Sequence, residues 1–219
     1  IGSAIAALLP ANARNTESTL AGAISVFCAV QVALLFPETQ NNGVVHQSIP
    51  WLGQLGMDLH FRMDGFAWMF SILVLGIGSL VVLYARYYMS QADPVPRFFS
   101  FFLAFMGSMM GVVLSGNLIQ LVFFWELTSI FSFLLIGYWH HRKDARMGAR
   151  MALTVTGTGG LCLLGGVLLL GHIVGSYELD NVLAAGDQIR NHELYRITLV
   201  LILLGALTKS AQFPFHFWL

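Results

Sequence analysis

The sequence predicts an all-α polytopic membrane protein with about seven transmembrane helices, the first truncated and the seventh broken, and a short extracytoplasmic β-hairpin. Apolar residues make up 57% of the 219 residues and charged residues only 10%, whereas soluble domains carry about 25% charged residues. The mean hydropathy is +0.72. The net charge is zero, which gives no indication of nucleic acid or of an acidic substrate as a partner. The expected surroundings are therefore a lipid bilayer.

The first part of the chain predicts two helices and a hairpin. Ile1 to Leu9 is apolar but too short to span a membrane, so we interpret it as the end of a truncated helix. After a polar link, a second span is expected at Leu20 to Phe36, closed by Pro37. Apolar and polar residues alternate over Met57 to Met63, which indicates a strand. Since an open strand cannot cross a bilayer, we place it outside the hydrocarbon, paired with a segment such as Gly43 to His46.

Two further spans follow the hairpin. Asp64 is expected to cap a third span at Phe66 to Tyr88, a role that we prefer to that of a proton carrier. The fourth span is expected at Phe98 to Ser115, where Gly107, Gly111 and Ser115 have the spacing of small residues that lets a neighbouring helix approach closely. Only Gly116 and Asn117 then precede the fifth span, so these two spans should form a tight antiparallel pair.

The remaining spans are predicted at Asn117 to Trp139, at Met147 to Val174, and from near Leu194 onward. In the sixth span, a seam of small residues recurs every four positions, at Gly148, Ala152, Thr156 and Gly160. A short surface helix is expected around Asp180 to Arg190. We divide the chain into residues 1–97, the first three helices with the hairpin, and residues 98–219, an incomplete first repeat formed by helices 4 to 7.

The fifth span contains one acidic residue, Glu126, near its middle. Of the eleven acidic residues it is the one that we place inside an apolar span. A charged group at the centre of a spanning helix costs about 2.5 to 3.5 kcal/mol, so such residues indicate function by default. The alternative is a protonated acid that only bonds to a neighbouring helix, for example through Ser129 at i+3.

The seventh span carries a second intramembrane charge. Lys209 lies about fifteen residues into it, roughly 22 Å along a helix, and Pro214 should break or kink the helix just beyond. Broken helices near the bilayer midplane line the ion paths of many transporters. The alternative is a simple kink with a lysine that reaches the interface.

His216 could exchange protons near neutral pH. In an unbroken helix it would lie two turns beyond Lys209 on the same face; the alternative role is packing. Glu126, Lys209 and His216 together supply an acid, a base and an imidazole, a set suited to moving protons.

Other candidate sites are weak. Cys28 and Cys162 lie far apart in apolar spans, which favours buried thiols over a disulfide or a metal site. His140 and His141 are adjacent and therefore do not share a helix face. The glycine-rich run at residues 157–160 lacks the GKS or GKT of a phosphate loop. We expect no cofactor and no metal.

The basic residues predict an orientation. If the spans alternate, seven basic residues lie on one side and three on the other, with Lys209 inside the membrane. The positive-inside rule makes the first side cytoplasmic. The larger group is Arg14, Arg86, Arg97, Arg142, Lys143, Arg146 and Arg150; the smaller is Arg62, Arg190 and Arg196.

Three segments resemble a known family. They are SGNLIQLVFFWELTSIFSFLLIGYW, the RMDG before the third span, and LTKSAQFPFHFWL. They are similar to the proton-translocating antiporter family shared by the membrane subunits of respiratory complex I and the Mrp-type multisubunit Na⁺/H⁺ antiporters. FPFHFWL and VTGTGGLCLLGG look most like the A-subunit branch of the Mrp type. Since the chain begins at Ile1 and ends within a motif, we interpret it as part of a longer protein.

The resemblance implies that Glu126 pairs with Lys209 on the broken helix and that His216 lies on the proton path. It implies a proton-conducting subunit of a Na⁺ or other monovalent cation/H⁺ antiporter. Such a secondary transporter, not an enzyme, would lie in the bacterial plasma (inner) membrane with small hydrophobic antiporter subunits. The alternative is a proton-pumping subunit of complex I, which would also lack cofactors here. A third possibility is a structural anchor whose buried charges only pair helices.

Overall fold

The computed structural model describes residues 2–8, 14–52, 57–90 and 93–219. Helices dominate these residues, and one two-stranded sheet accompanies them. Five of the described helical segments are long and apolar enough to cross a membrane: Asn15–Asn41, Gly65–Tyr88, Val95–Leu114, Leu118–Ile136 and Lys143–Val174. The predicted class, a polytopic helical membrane protein with a small hairpin, is confirmed.

The chain forms two compact units. The first comprises Ile1–Gln47 and Arg62–Leu114, and the second comprises Ser48–Phe61 and Ser115–Leu219. The predicted division into residues 1–97 and 98–219 stays a prediction. The elements in order are α1 (Gly2–Ala7), α2 (Arg14–Leu34), α3 (Phe36–Asn42), β1 (Val44–Leu52), β2 (Met57–Asp64), α4 (Gly65–Tyr88), α5 (Val95–Leu114), α6 (Leu118–Ile136), α7 (Lys143–Val174), α8 (Leu179–Ala184), α9 (Gly186–Asn191), α10 (Tyr195–Lys209) and a 3-10 helix (Phe215–Trp218).

The second helix differs from its prediction at both ends. The polar link was expected at residues 11–19, of which residues 11–13 lie outside the described residues, but α2 already begins at Arg14. Glu17, placed in the link by the sequence analysis, is therefore part of this helix. Pro37 lies in the first turn of α3, where a missing N–H costs nothing. This proline thus follows the start of a helix instead of closing a span.

Within the first unit, α2 packs antiparallel to α4. The indole N–H of Trp68 donates to the carbonyl of Val32 over 2.8 Å near one end, and Arg86 reaches the Thr19 hydroxyl at 3.5 Å near the other. Ser71, Leu75, Gly78 and Val82 belong to the buried stripe of α4. Their spacing of three or four residues is that of a helix with one buried face.

The small residues of α5 do not all act as predicted. No atom lies within 4 Å of a Cβ added at Gly107, and this glycine lines a mostly apolar cavity of about 500 Å³ in the first unit. Ser115 lies beyond the end of α5. The close contact between α4 and α5 occurs instead at Gly78, where an added Cβ would collide with the sulfur of Met106.

The predicted hairpin is present, and β1 pairs with β2. Asp64 ends β2 and caps α4 as predicted, because its carboxylate accepts a hydrogen bond from the Ala67 amide over 2.8 Å. The Arg62 guanidinium also donates to it over 2.6 Å. Burial opposes ionisation of this carboxyl, but the Ala67 amide and Arg62 outweigh that effect and hold the pKa of Asp64 below its ordinary value.

A polar network fixes the start of α6 in the second unit. The Asn117 side chain caps α6 by accepting from the Ile119 amide and donates to Glu178 over 2.9 Å. Buried Gln120 pairs with the backbone of His60 in β2, accepting from its amide over 2.8 Å and donating to its carbonyl over 3.1 Å. Side chains near the start of α6 are thus held to both the strand and the segment before α8.

Helix α7 packs against both α6 and α10. Glycines set the distance to α10: an added Cβ at Gly159 would collide with Thr208, and one at Gly205 would lie 2.7 Å from the Cβ of Leu163. The predicted seam of small residues lies toward α6, because Gly148 is closest to Ile136 and Gly160 to Glu126. Close packing of α7 therefore brings α10 against Gly159 and α6 against the adjacent Gly160.

The seventh helix is broken, as predicted. Helix α10 ends at Lys209 after 15 residues, and Ala211 has a left-handed backbone with φ of 51°. The Phe213–Pro214 peptide bond is cis, and the 3-10 helix Phe215–Trp218 follows. The surface helix expected at Asp180 to Arg190 is instead two short helices, α8 and α9.

Candidate functional site

Lys209 is the last residue of α10, and its ammonium group is held by α6. The Nζ atom donates to the hydroxyl of Ser129 over 2.8 Å. It also lies 5.6 Å from the centre of the Trp125 ring, within the range of a cation–π interaction. Ser129 is 1% exposed, so its hydroxyl offers Lys209 a neutral partner away from solvent.

Ser129 has a second contact, at 3.4 Å, to the carbonyl oxygen of Trp125. When the hydroxyl accepts from Lys209, it can still donate its own proton to that carbonyl, because a serine hydroxyl both donates and accepts. The sequence analysis considered Ser129 as a partner of Glu126. In the structure its partner is Lys209.

Glu126 lies three residues before Ser129 on α6 and is half-buried. Its Oε1 atom is fully buried and has no hydrogen-bond partner in the described part of the chain. The carboxylate fits against α7 only because residue 160 is glycine: a Cβ there would collide with Oε1. The sequence analysis noted Gly160 as a packing residue and missed that it makes room for the acid.

No ion pair between Lys209 and Glu126 occurs among the described residues: the ammonium group bonds to Ser129, and the two charges attract each other from a longer distance. Both side chains are half-buried. Residues three apart on a helix are neighbours on its surface, so Glu126 and Ser129 present an acid and a hydroxyl side by side. Lys209 therefore has two neighbouring partners on α6, and its ammonium group is bonded to one of them, the Ser129 hydroxyl.

The broken helix contributes backbone groups to the site. The Thr208 carbonyl, which precedes the break, accepts from the indole N–H of Trp218 over 2.9 Å and from the Ala211 amide at 3.3 Å. The carbonyl freed beside Lys209 is thus taken up by the segment after the break. Pro214 lies within this segment, directly before the 3-10 helix.

His216 lies in the 3-10 helix and is exposed. Its ring stacks on Phe213 with 5.8 Å between ring centres. Because α10 ends at Lys209, His216 does not continue the helical face of Lys209, the placement expected for an unbroken helix. Its place on a proton path stays a prediction.

The sequence analysis missed one buried acid. Glu17 is 0% exposed, and both carboxyl oxygens lack a hydrogen-bond partner among the described residues. It was overlooked because the polar sequence around it suggested a link. The residues at i+4 and i+8, Ala21 and Ser25, are small and equally buried, and this spacing was the available signal for a helical buried face.

The other candidate residues form no site. Cys28 and Cys162 are free thiols and half-buried. The rings of His140 and His141 lie 6.2 Å apart. Within the described ranges no three His, Cys, Asp or Glu side chains cluster as metal ligands would. The glycine-rich run 157–160 is α-helical and belongs to the packing of α7.

Two family models match the chain. Residues 115–219 match the model described as NADH:quinone oxidoreductase/Mrp antiporter, transmembrane part. Residues 49–99 match the model described as NADH-ubiquinone oxidoreductase (complex I), chain 5 N-terminus. The chain belongs to the proton-translocating antiporter family shared by complex I and the Mrp antiporters. The resemblance seen in the FWELTS and KSAQFPFHFWL segments is confirmed.

The chain is also similar in sequence to subunits of monovalent cation/H⁺ antiporters. It is 65% identical over 218 residues to the probable A/B-subunit of a K⁺/H⁺ antiporter from Rhizobium meliloti, covering 100% of this chain and 22% of that protein. It is 44% identical over 182 residues to the A-subunit of a Na⁺/H⁺ antiporter from Alkalihalophilus pseudofirmus, covering 83% of this chain and 23% of that protein. The chain thus spans less than a quarter of the length of these relatives, which are transporter subunits.

Solved structures share the fold. A chain of the Mrp complex from Dietzia sp. DQ12-45-1b matches with a TM-score of 0.85 and 29% identity, over 100% of this chain and 24% of that one. A chain of the membrane-bound sulfane sulfur reductase, an archaeal respiratory membrane complex, matches with a TM-score of 0.81 and 19% identity, over 99% of this chain and 33% of that one. At that identity the second match concerns the fold alone.

Proposed function

We propose that this chain is the proton-conducting part of one subunit of a monovalent cation/H⁺ antiporter, in which Lys209 moves its charge between Ser129 and Glu126. The observation that carries the proposal is the bond from Lys209 to Ser129, with the Glu126 carboxylate unpartnered one turn away. Attraction between opposite charges favours Glu126 when Lys209 is protonated, whereas the hydroxyl can hold the amine in either state.

A proton step follows from this geometry. With Lys209 on Ser129, the charge of Glu126 has no hydrogen-bond partner at Oε1 and is attracted to Lys209 only from a longer distance, in a site that is partly screened from water, which is costly. Movement of the protonated amine to Glu126 relieves that cost, and loss of its proton removes the attraction and returns the amine to Ser129. The charge of one residue therefore controls the proton affinity of the other. His216 is the proposed next group on the path.

The proposal extends to partners and location. We expect H⁺ and Na⁺ or another monovalent cation to be exchanged in a hetero-oligomer with small hydrophobic antiporter subunits, in the bacterial plasma membrane. No nucleic acid or cofactor is expected. One relative is named a probable K⁺/H⁺ antiporter and another a Na⁺/H⁺ antiporter, so both cations must be compared in the same assay.

Proton movement in inverted membrane vesicles carrying the full complex tests the site. A pH-sensitive dye would report the collapse of a respiratory pH gradient when Na⁺ or K⁺ is added. We expect Glu126→Gln and Lys209→Ala to abolish the response to both cations. Lys143→Ala and Glu193→Gln change exposed charges of the same unit and should leave it intact. Normal antiport in the Glu126 and Lys209 variants, with normal amounts of complex, would refute the proposal.

The alternative function is a proton-pumping subunit of complex I, favoured by the family description of residues 49–99. Purification of the native complex and identification of its other subunits would distinguish the two functions. Small hydrophobic antiporter subunits would support the antiporter, whereas quinone- or NADH-oxidising subunits would support the redox enzyme.

A further inference from the structure

Glu17 is a buried acid in the first unit that the proposed function does not use. It lies in the first turn of α2, within the span Asn15–Asn41. The side chain is 0% exposed, and neither carboxyl oxygen accepts or donates a hydrogen bond within the described residues. A carboxylate that has lost its water without gaining partners is costly to keep charged.

Arg14 begins α2, three positions before Glu17, and the carboxyl oxygens of Glu17 have no hydrogen-bond partner among the described residues. The helices packed against α2 are α1, α3, α4 and α5, and the basic residues of the described parts of these helices are Arg86 and Arg97. Arg86 reaches the hydroxyl of Thr19, while Arg97 lies over the ring of Phe101, 5.5 Å from its centre. Glu38 in α3 is the acidic residue on those helices, and it is exposed.

The position of Glu17 gives it a short route to water. It lies three residues, about 4.5 Å, from the beginning of α2, and its neighbours Thr16 and Thr19 are exposed. The first turn of a helix is the part that frays most readily and whose amides have no partner inside the helix. Opening of this turn would expose the carboxyl and offer it free backbone N–H groups.

We propose that Glu17 is a proton-binding site of the first unit: it is a neutral carboxylic acid when buried and releases its proton to water when the first turn of α2 opens. On closing, the carboxylate takes a proton from a hydronium ion, so that the O–H bond forms on the carboxyl and the hydronium ion becomes water. The ligand is a proton and not a metal ion, because no cluster of three ligating side chains lies among the described residues.

Infrared difference spectra of the purified, assembled complex test this site. Spectra recorded between acidic and alkaline buffer should contain the C=O stretching band of a neutral carboxylic acid, and this band should shift in D₂O. Other carboxyl groups of the complex also contribute to this band, so we expect Glu17→Gln to remove one component of it. Glu38→Gln, which changes an exposed glutamate of the same unit, should leave it in place. If Glu17→Gln fails to assemble, Glu17→Asp keeps the carboxyl group and should move the band.

Two results would overturn the proposal. The first is a spectrum that Glu17→Gln and Glu17→Asp leave unchanged, since Glu17 would then not titrate. The second is a band that persists at every pH and never exchanges with D₂O, since Glu17 would then be a locked acid that serves packing. Neither result depends on antiport, so the proton site of Glu17 and the proposed function of Lys209 can fail separately.

Discussion

Glu17 and Glu126 are two acids in apolar helices of separate units, and their surroundings differ in one respect. Both have buried oxygen atoms without hydrogen-bond partners among the described residues. Glu126 lies one turn from Ser129, the residue that holds the ammonium group of Lys209, whereas neither basic residue on the helices around Glu17 is paired with it. One glutamate, Glu126, therefore lies beside a lysine in the second unit. The other, Glu17, has no hydrogen-bond partner among the described residues of the first unit.

Asp64 completes the comparison as an acid with partners. Its carboxylate accepts from the Ala67 amide and from Arg62, and its pKa is held below the ordinary value. Protonation would cost it those bonds, whereas Glu17 has none to lose. The three acids thus differ in their hydrogen-bond donors: Asp64 has donors that favour its charged form, whereas the buried oxygen atoms of Glu17 and Glu126 have none among the described residues.

After the substitutions of Glu126 and Lys209 themselves, the largest expected effect comes from the glycine that makes room for Glu126. Gly160→Ala places a methyl group where the carboxylate lies, so Glu126 must turn away from its site beside Ser129. We expect cation-dependent proton transport to fall about tenfold or more, equivalent to ~1.4 kcal/mol in the barrier. Gly157→Ala is the matched control, because nothing lies within 4 Å of a Cβ there. Equal activity in both variants would show that the position of the carboxylate does not matter.

A smaller effect is expected from Ser129→Ala, which removes the hydroxyl but keeps both charges. The amine of Lys209 would then have Glu126 and the ring of Trp125 as its nearby partners on α6. A hydrogen bond to a charged group contributes about 1.5 to 3 kcal/mol, but approach to Glu126 offsets part of this loss, so we expect transport to slow several-fold. Ser132→Ala, three residues further along α6, is the control. If the Ser129 variant transports protons as fast as wild type, the proposed movement of Lys209 between Ser129 and Glu126 is not supported.

Asp64→Ala should affect stability and not transport. Loss of a helix cap costs about 1 kcal/mol, which should lower the melting temperature of the purified complex at neutral pH. Because the pKa in the folded state is below its ordinary value of 3.8, the stabilisation is present above that value and is lost as the pH falls through the lower folded pKa. The difference in melting temperature between the variant and wild type should therefore disappear in acid. Asp187→Ala, in an exposed pair with Arg190, should change little at any pH.

The sequence predicted the long helices of both units better than it predicted the start of α2. Long uninterrupted apolar runs defined α4 to α7, and the proline after Lys209 predicted the end of α10. Glu17 was missed because polar residues in the first turn of a helix look the same as a polar link, and only packing against neighbouring helices reveals the buried face. The bond from Lys209 to Ser129 could not be predicted either, because the distance between α6 and α10 depends on Gly159 and Gly160 of a third helix.

The smallest expected effect is on stability and concerns the helix break directly after Lys209. Helix α2, by contrast, continues without a break past Glu17. Ala211 has a φ of 51°, in the region where a Cβ costs about 1 to 2 kcal/mol and glycine does not pay this penalty. Glycine loses about 0.5 to 1 kcal/mol through its greater freedom in the unfolded chain, so Ala211→Gly should stabilise the complex by roughly 0.5 kcal/mol. Ala206→Gly, in the regular part of α10, should destabilise it by about 1 kcal/mol. A higher melting temperature for Ala211→Gly and a lower one for Ala206→Gly would confirm a left-handed residue after Lys209. Equal decreases in melting temperature for both variants would mean that α10 continues through Ala211.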